Sequence, residues 1–163
     1  MELIKKVVDE EATIANVREF FSENGGYDKI LQRSGALNPK NPRSPKGDIT
    51  GVPGSSAGNA QENKYVEYVQ NKLAYDAISY AIGCCRQLSQ DILNYRYLEH
   101  RKVWQVKRLI GYTGNSVYPD KDRQACLDFA DTIEIARVLY HVDEDTIPKL
   151  QKEKQEQNGS KVG

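Results

Sequence analysis

The chain has 163 residues, 39% hydrophobic and 28% charged, with 23 basic side chains against 23 acidic ones. That length allows one domain, or a small domain with appendages, and the polar balance predicts a modest core with loose ends. Neutrality excludes a generic polycation but leaves room for a local basic patch. The start "MELIKKVVDEEA" is too broken by lysines and acids for a signal peptide. No apolar run approaches the roughly 20 residues of a membrane span, so a soluble cytoplasmic protein without a membrane partner is expected.

Taken in chain order, "DEEATIANVREFF" from Asp9 to Phe21 places Ile14, Val17, Phe20 and Phe21 on one helical face. Asp9, Glu10 and Glu11 suit the positive end of that helix, and Gly25-Gly26 ends it. A short second helix is predicted from Tyr27 to about Gln32, closing an N-terminal helical segment over residues 1–37.

Residues 38–60 change character. Four of the six prolines lie there, Pro39, Pro42, Pro45 and Pro53, with Lys40, Arg43 and Lys46 against Asp48. Such density of proline and glycine sustains neither helix nor central strand, so a linker or an extended basic arm is expected.

A long helix follows from Gln61 to Gln87, with Val66, Val69, Leu73, Ala77, Tyr80 and Cys84 as its stripe and Tyr65, Tyr68 and Tyr75 widening it. Ser89 looks like the N-cap of a helix running to Leu98. "EHRK" connects it to a short helix, Val103 to Ile110, and Gly111 is placed to take the left-handed conformation that closes a helix. The last helix buries Ala125, Cys126, Phe129, Ala130, Ile133 and Ala136, and runs to about Tyr140. A helical domain over 61–148 results. The remaining 149–163 has almost no apolar residues and is expected to be disordered.

Helix, glycine turn, helix is the syntax of a helix-turn-helix, predicted at about 89–130, in which the second helix enters the major groove of double-stranded DNA. Proline inside a helix costs about 3 kcal/mol, but little in the first turn, where backbone N–H groups have no intrahelical partner. Pro119 therefore predicts a late start, near Asn115 or Ser116, with Ser116 as the cap. Val106 and Ile110 would lock the pair against Val117 and Ala125. Asn115, Ser116, Tyr118, Lys121, Arg123 and Gln124 are then the candidate reading residues. Arg101, Lys102, Lys107 and Arg108 are candidates for the backbone. Between Arg96 and Ala125 there are seven basic residues and three acidic ones, a local excess in a neutral chain.

At these residues a resemblance becomes specific. "SQDILNYRYLEHRKVWQVKRLIGYTGNSVYPDKDRQACLDFA" is similar to region 4 of sigma-70-type factors, and "DITGVPGSSAGNAQENKYVEYVQNKLAYDAISYAI" resembles the middle of the ArpU family of phage and prophage transcriptional regulators. The resemblance runs from the N-terminal helix to about Ala130. It implies an all-α protein: N-terminal helices, linker, long helix and a sigma region 4-like helix-turn-helix. It also implies a sequence-specific DNA-binding regulator of phage late genes for packaging, structure or lysis, acting in the cytoplasm of a bacterial host, with host RNA polymerase as a partner by analogy of fold. The alternative is a phage assembly or DNA-packaging component, akin to a terminase small subunit, whose module builds a homo-oligomer through the tyrosine stripe.

Other signals are weaker. Cys84, Cys85 and Cys126 form no CxxC pair, and with His100 and His141 they do not reach zinc-site spacing; buried thiols in a reducing compartment are expected. "GSSAG", Gly54 to Gly58, satisfies G-x-S-x-G but lacks the strand a nucleophile elbow needs. No enzyme, catalytic residue, metal or cofactor is expected.

Overall fold

The computed structural model describes residues 7–36, 58–112 and 117–154. Among them the protein is all-α, and the one β feature is an isolated antiparallel bridge between Val8 and Glu153. Six helices run in order: α1 (Glu10–Phe20), α2 (Gly26–Ser34), α3 (Gly58–Gly83), α4 (Gln87–Ile92), α5 (Val103–Ile110) and α6 (Tyr118–Leu139). A π-helical turn, Leu93–Leu98, continues α4. Of the linker expected over 38–60, residues 38–57 lie outside the described residues, as do the "GSSAG" serines and residues 155–163, while 58–60 belong to α3.

α1 forms where its acids predict. The Asp9 carboxylate accepts from the Ala12 N–H at 3.1 Å and caps the first turn, while Glu10 and Glu11 meet the helix dipole. Its face Ile14, Val17, Phe20 is buried against α6. Gly25 does not end α1, which stops at Phe20; it caps α2. A β-carbon at Gly25 would lie 2.4 Å from the Glu19 carbonyl oxygen, so no other residue lets the chain turn this tightly.

α6 is the central rod. It packs on α3, α4 and α1, while α2 lies on α3. All six residues expected on its buried side are buried. They meet Ala74, Ala77, Ile78, Ala81 and Ile82 of α3 in one core cluster. Alanines on both helices let the backbones approach. At one end Phe21 bridges α1 to its neighbours, its ring 5.0 Å from Phe129 and 5.2 Å from Tyr27.

Several expectations are corrected. α3 starts at Gly58, and its buried stripe is rotated away from Val66, Tyr80 and Cys84, all of which are exposed. The alanines, weak as a hydrophobic signal, decide the face instead. Cys84 is therefore not a buried thiol, although Cys85 and Cys126 are. Ser89 is not a cap: α4 begins two residues earlier, after Arg86, and the Ser89 hydroxyl donates to Asp128 on α6 at 2.6 Å.

The segment after Pro148 is not featureless over 149–154. Ile147 and Leu150 are buried. The Lys152 N–H donates to the Thr13 hydroxyl at 2.9 Å, the Asn16 amide donates to the Leu150 carbonyl at 3.0 Å, and the Asp9 N–H donates to the Lys152 carbonyl at 2.8 Å. These bonds strap the C-terminal segment over the start of α1. Ile147 and Leu150, three residues apart, are both buried, which composition alone does not reveal.

Candidate nucleic-acid interface

The short helix α5 has the predicted bounds. Gly111 closes it at φ 81°, in the left-handed region, as the sequence required. At its other end the Gln105 carboxamide accepts from the Lys102 N–H at 3.0 Å. Only Val106 is buried in α5, which leans on α4 and the π-helical turn rather than on α6. The expected lock between the two helices is thus reduced to Val106, with Ile110 half-buried; Val117 is exposed and does not pack as predicted. The exposed side of α5 carries Arg108 and Trp104, the latter 56% exposed, and Lys102 and Arg101 precede it. Lys107 is half-buried. From His100 to Pro119 the sequence holds four cations and no acid.

Arg101 is partly committed. Its guanidinium pairs with Glu99 at 2.6 Å and lies 5.5 Å from the centre of the Tyr95 ring.

α6 starts late, as Pro119 demanded. Its first residue is Tyr118, so the proline occupies the opening turn, where its missing N–H is harmless. The cap position falls on Val117 and not on the expected Ser116, so the helix begins two to three residues later than predicted; Asn115 and Ser116, also expected to read bases, lie outside the described residues. Of the remaining candidates on α6, Lys121 is half-exposed and Gln124 is exposed. Gln124 donates to Asp128 at 3.1 Å, beside the Arg86 guanidinium that binds the same carboxylate at 3.2 Å.

Two candidates are displaced. Tyr118 is only 4% exposed and points inward, so it is not a reading residue. Its hydroxyl donates to the Asp122 carboxylate at 2.8 Å. Arg123 faces α1, where its guanidinium pairs with Glu11 at 2.5 Å. The hydrogen bond from Arg123 holds the Glu11 carboxyl below the usual carboxylate range, and Glu11 in turn raises Arg123. One step along a helix turns a side chain by about 100°. Burying Asp122 therefore swings Arg123 toward α1.

Asp122 itself is the residue sequence reasoning missed. It is 5% exposed and accepts from Tyr97 at 2.5 Å, Tyr118 at 2.8 Å and Arg18 at 3.2 Å, and more weakly from the Cys126 thiol at 3.9 Å. Burial, then the nearby Cys126 and Asp122, pushes the Tyr97 hydroxyl far above its ordinary value. Burial and Asp122 push up Tyr118. Burial opposes the charge on Arg18, but the Tyr97 hydroxyl and the Asp122 carboxylate outweigh it. The network fixes the first turn of α6 against α1 and the π-helical turn. The i, i+4 pair Tyr118–Asp122 was visible in the sequence as a same-face pair; its distant partners were not.

Among the described residues no His, Cys, Asp and Glu cluster could hold a metal ion, and no helix is long and apolar enough to cross a membrane. Compared with known proteins, the chain matches no family model, no curated protein and no solved structure.

Proposed function

We propose that this protein is a sequence-specific regulator that binds double-stranded DNA, of the kind the ArpU family resemblance implies, acting on phage late genes in a bacterial host. The observation that carries the reading is the acid-free run from His100 to Pro119, whose cations Arg101, Lys102 and Arg108 stand on or beside the exposed side of a short helix closed by a left-handed glycine. A duplex carries one negative charge per about 1.7 Å of axis, so a compact patch of this sign suits its backbone. Lys121 and Gln124 remain reading candidates on α6, with Asn115 and Ser116 before it. Arg123 reaches DNA only by leaving Glu11. RNA polymerase is a proposed partner by the same resemblance.

Selection of duplexes from a random library, followed by footprinting of the enriched site, tests this. A single enriched motif protected over one or two half-sites supports it. Recovery of no motif, with binding indifferent to sequence, contradicts it.

A second reading is favoured by one observation. At the far end of α6, Ile135, Val138 and Leu139 are exposed at three- and four-residue steps. Such a stripe fits helix–helix association, as an oligomeric assembly or DNA-packaging component would need. Light scattering separates the readings: a large closed ring with sequence-indifferent DNA binding favours assembly over regulation.

A further inference from the structure

Beside α5 lies a cleft of about 560 Å³, bounded by α1, the π-helical turn and the first turn of α6. Its size falls within the range of small-molecule sites. Three arginines line it, each from a different element: Arg18 from α1, Arg96 from the π-helical turn and Arg123 from α6, with His100 from the connector. The apolar part of the wall that is open to solvent comes from Val103 and Pro119, both exposed.

The charges in this cleft are unevenly spent. The carboxylate lining it is Asp122, and its oxygens already accept from two tyrosine hydroxyls and Arg18. Arg18 and Arg123 are like-charged neighbours, each held by an acid, but the acids differ. Asp122 is locked in the core. Glu11 is largely exposed at a helix start, so an incoming anion can replace it on Arg123 at little cost. Arg96 donates to the Arg101 carbonyl at 2.9 Å, an uncharged partner, and among the described residues no carboxylate forms an ion pair with it.

The backbone supports the same place. Arg96 and Tyr97 are carried by π-type hydrogen bonding, the Glu99 N–H reaching the Asn94 carbonyl at 2.9 Å. Such turns shift the side chains that follow and recur at functional sites. His100 next holds φ 54°, a left-handed conformation that a β-carbon disfavours.

We propose that this cleft binds a small phosphorylated ligand, its phosphate held between Arg96 and Arg123 with Arg18 behind, and its organic part against Val103 and Pro119. Guanidinium forks from separate elements match phosphate oxygens in geometry as well as charge. Binding would tie α1 to the start of α6. No DNA is required, so the inference stands apart from the regulatory reading.

Melting curves and calorimetric titrations of the full chain test it, with sodium phosphate, AMP and, as the uncharged control, adenosine. Phosphate and AMP are expected to raise the melting temperature while adenosine does not. Arg96→Ala and Arg123→Gln are each expected to weaken AMP by about tenfold or more, and Arg123→Lys to recover part of the loss. Arg123 is a surface pair, so its variants remain informative if Arg96→Ala fails to fold. A duplex oligonucleotide is the parallel arm. Protection by duplex but not by phosphate or AMP would assign these guanidiniums to the DNA backbone and overturn the small-ligand site. Absence of any shift, or AMP binding unchanged in the folded variants, would also overturn it.

Discussion

The Tyr97 hydroxyl donates to the buried Asp122 carboxylate at 2.5 Å, joining the π-helical turn to the first turn of α6. That bond, with those from Tyr118 and Arg18, decides which way the candidate reading helix faces. Removing one donor by Tyr97→Phe should cost about 1–3 kcal/mol, since a buried acceptor loses a partner. Asp122→Ala should cost about 3–5 kcal/mol, because it strands two buried hydroxyls and the partner guanidinium. Urea titrations followed by circular dichroism measure both. Equal stability of Tyr97→Phe and the parent would show that the network does not fix α6.

The same cluster sets an alkaline limit. Burial pushes the Cys126 thiol up to about 11, and the Tyr97 and Tyr118 hydroxyls are raised as well. A group whose folded value is raised gives stability that is present below its unfolded value and lost as the pH climbs to the folded one. For Cys126 the unfolded value is about 8.5. Stability should therefore decline from about pH 8.5 toward pH 11, with the tyrosines extending the loss above about pH 10. Cys126→Ala should lessen the first part of that decline in melting temperature, the buried Cys85 thiol, also raised by burial, supplying the rest. An unchanged profile between pH 8.5 and pH 10 in that variant would contradict the assignment.

The helical outline was legible where local chemistry decides it. Asp9 and the acids after it mark α1, Gly111 marks the end of α5, and Pro119 marks the late start of α6. The rest depended on partners distant in sequence. The buried stripe of α3 was misjudged because Val66 and Tyr80 outweigh Ala74 and Ala81 by size, whereas close packing against α6 selects the small residues. Tyr118 and Arg123 are polar, and polarity alone does not tell a side chain that faces solvent from one that faces a buried or intramolecular partner. Only the fold brings Tyr97 to the Asp122 carboxylate that Tyr118 also binds, and Glu11 to Arg123.

The C-terminal strap should be part of the cooperative unit. Ile147 is fully buried, and Leu150 is nearly so. Ile147→Ala should lower stability by about 2–5 kcal/mol, the range for emptying a core site. Truncation after Val142 should destabilise α1 more than α3, because the strap bonds to Thr13 and Asn16. Hydrogen exchange of α1 amides reads this directly. Protection of α1 unaltered by truncation would show that the strap is dispensable.

The central claim is that α5 and the start of α6 face duplex DNA, and Trp104, the one tryptophan of the chain, stands on the exposed side of α5. Its emission during titration with the selected duplex, repeated at several salt concentrations, is the most direct measurement. A saturable change in Trp104 emission is expected, with an affinity that falls with salt at a log–log slope of about −2.7 to −3.6, for three or four phosphates neutralised. Arg108→Ala should reduce that slope by about 1. Binding that leaves Trp104 emission and the slope of Arg108→Ala unchanged would contradict the account, as would no binding to any duplex.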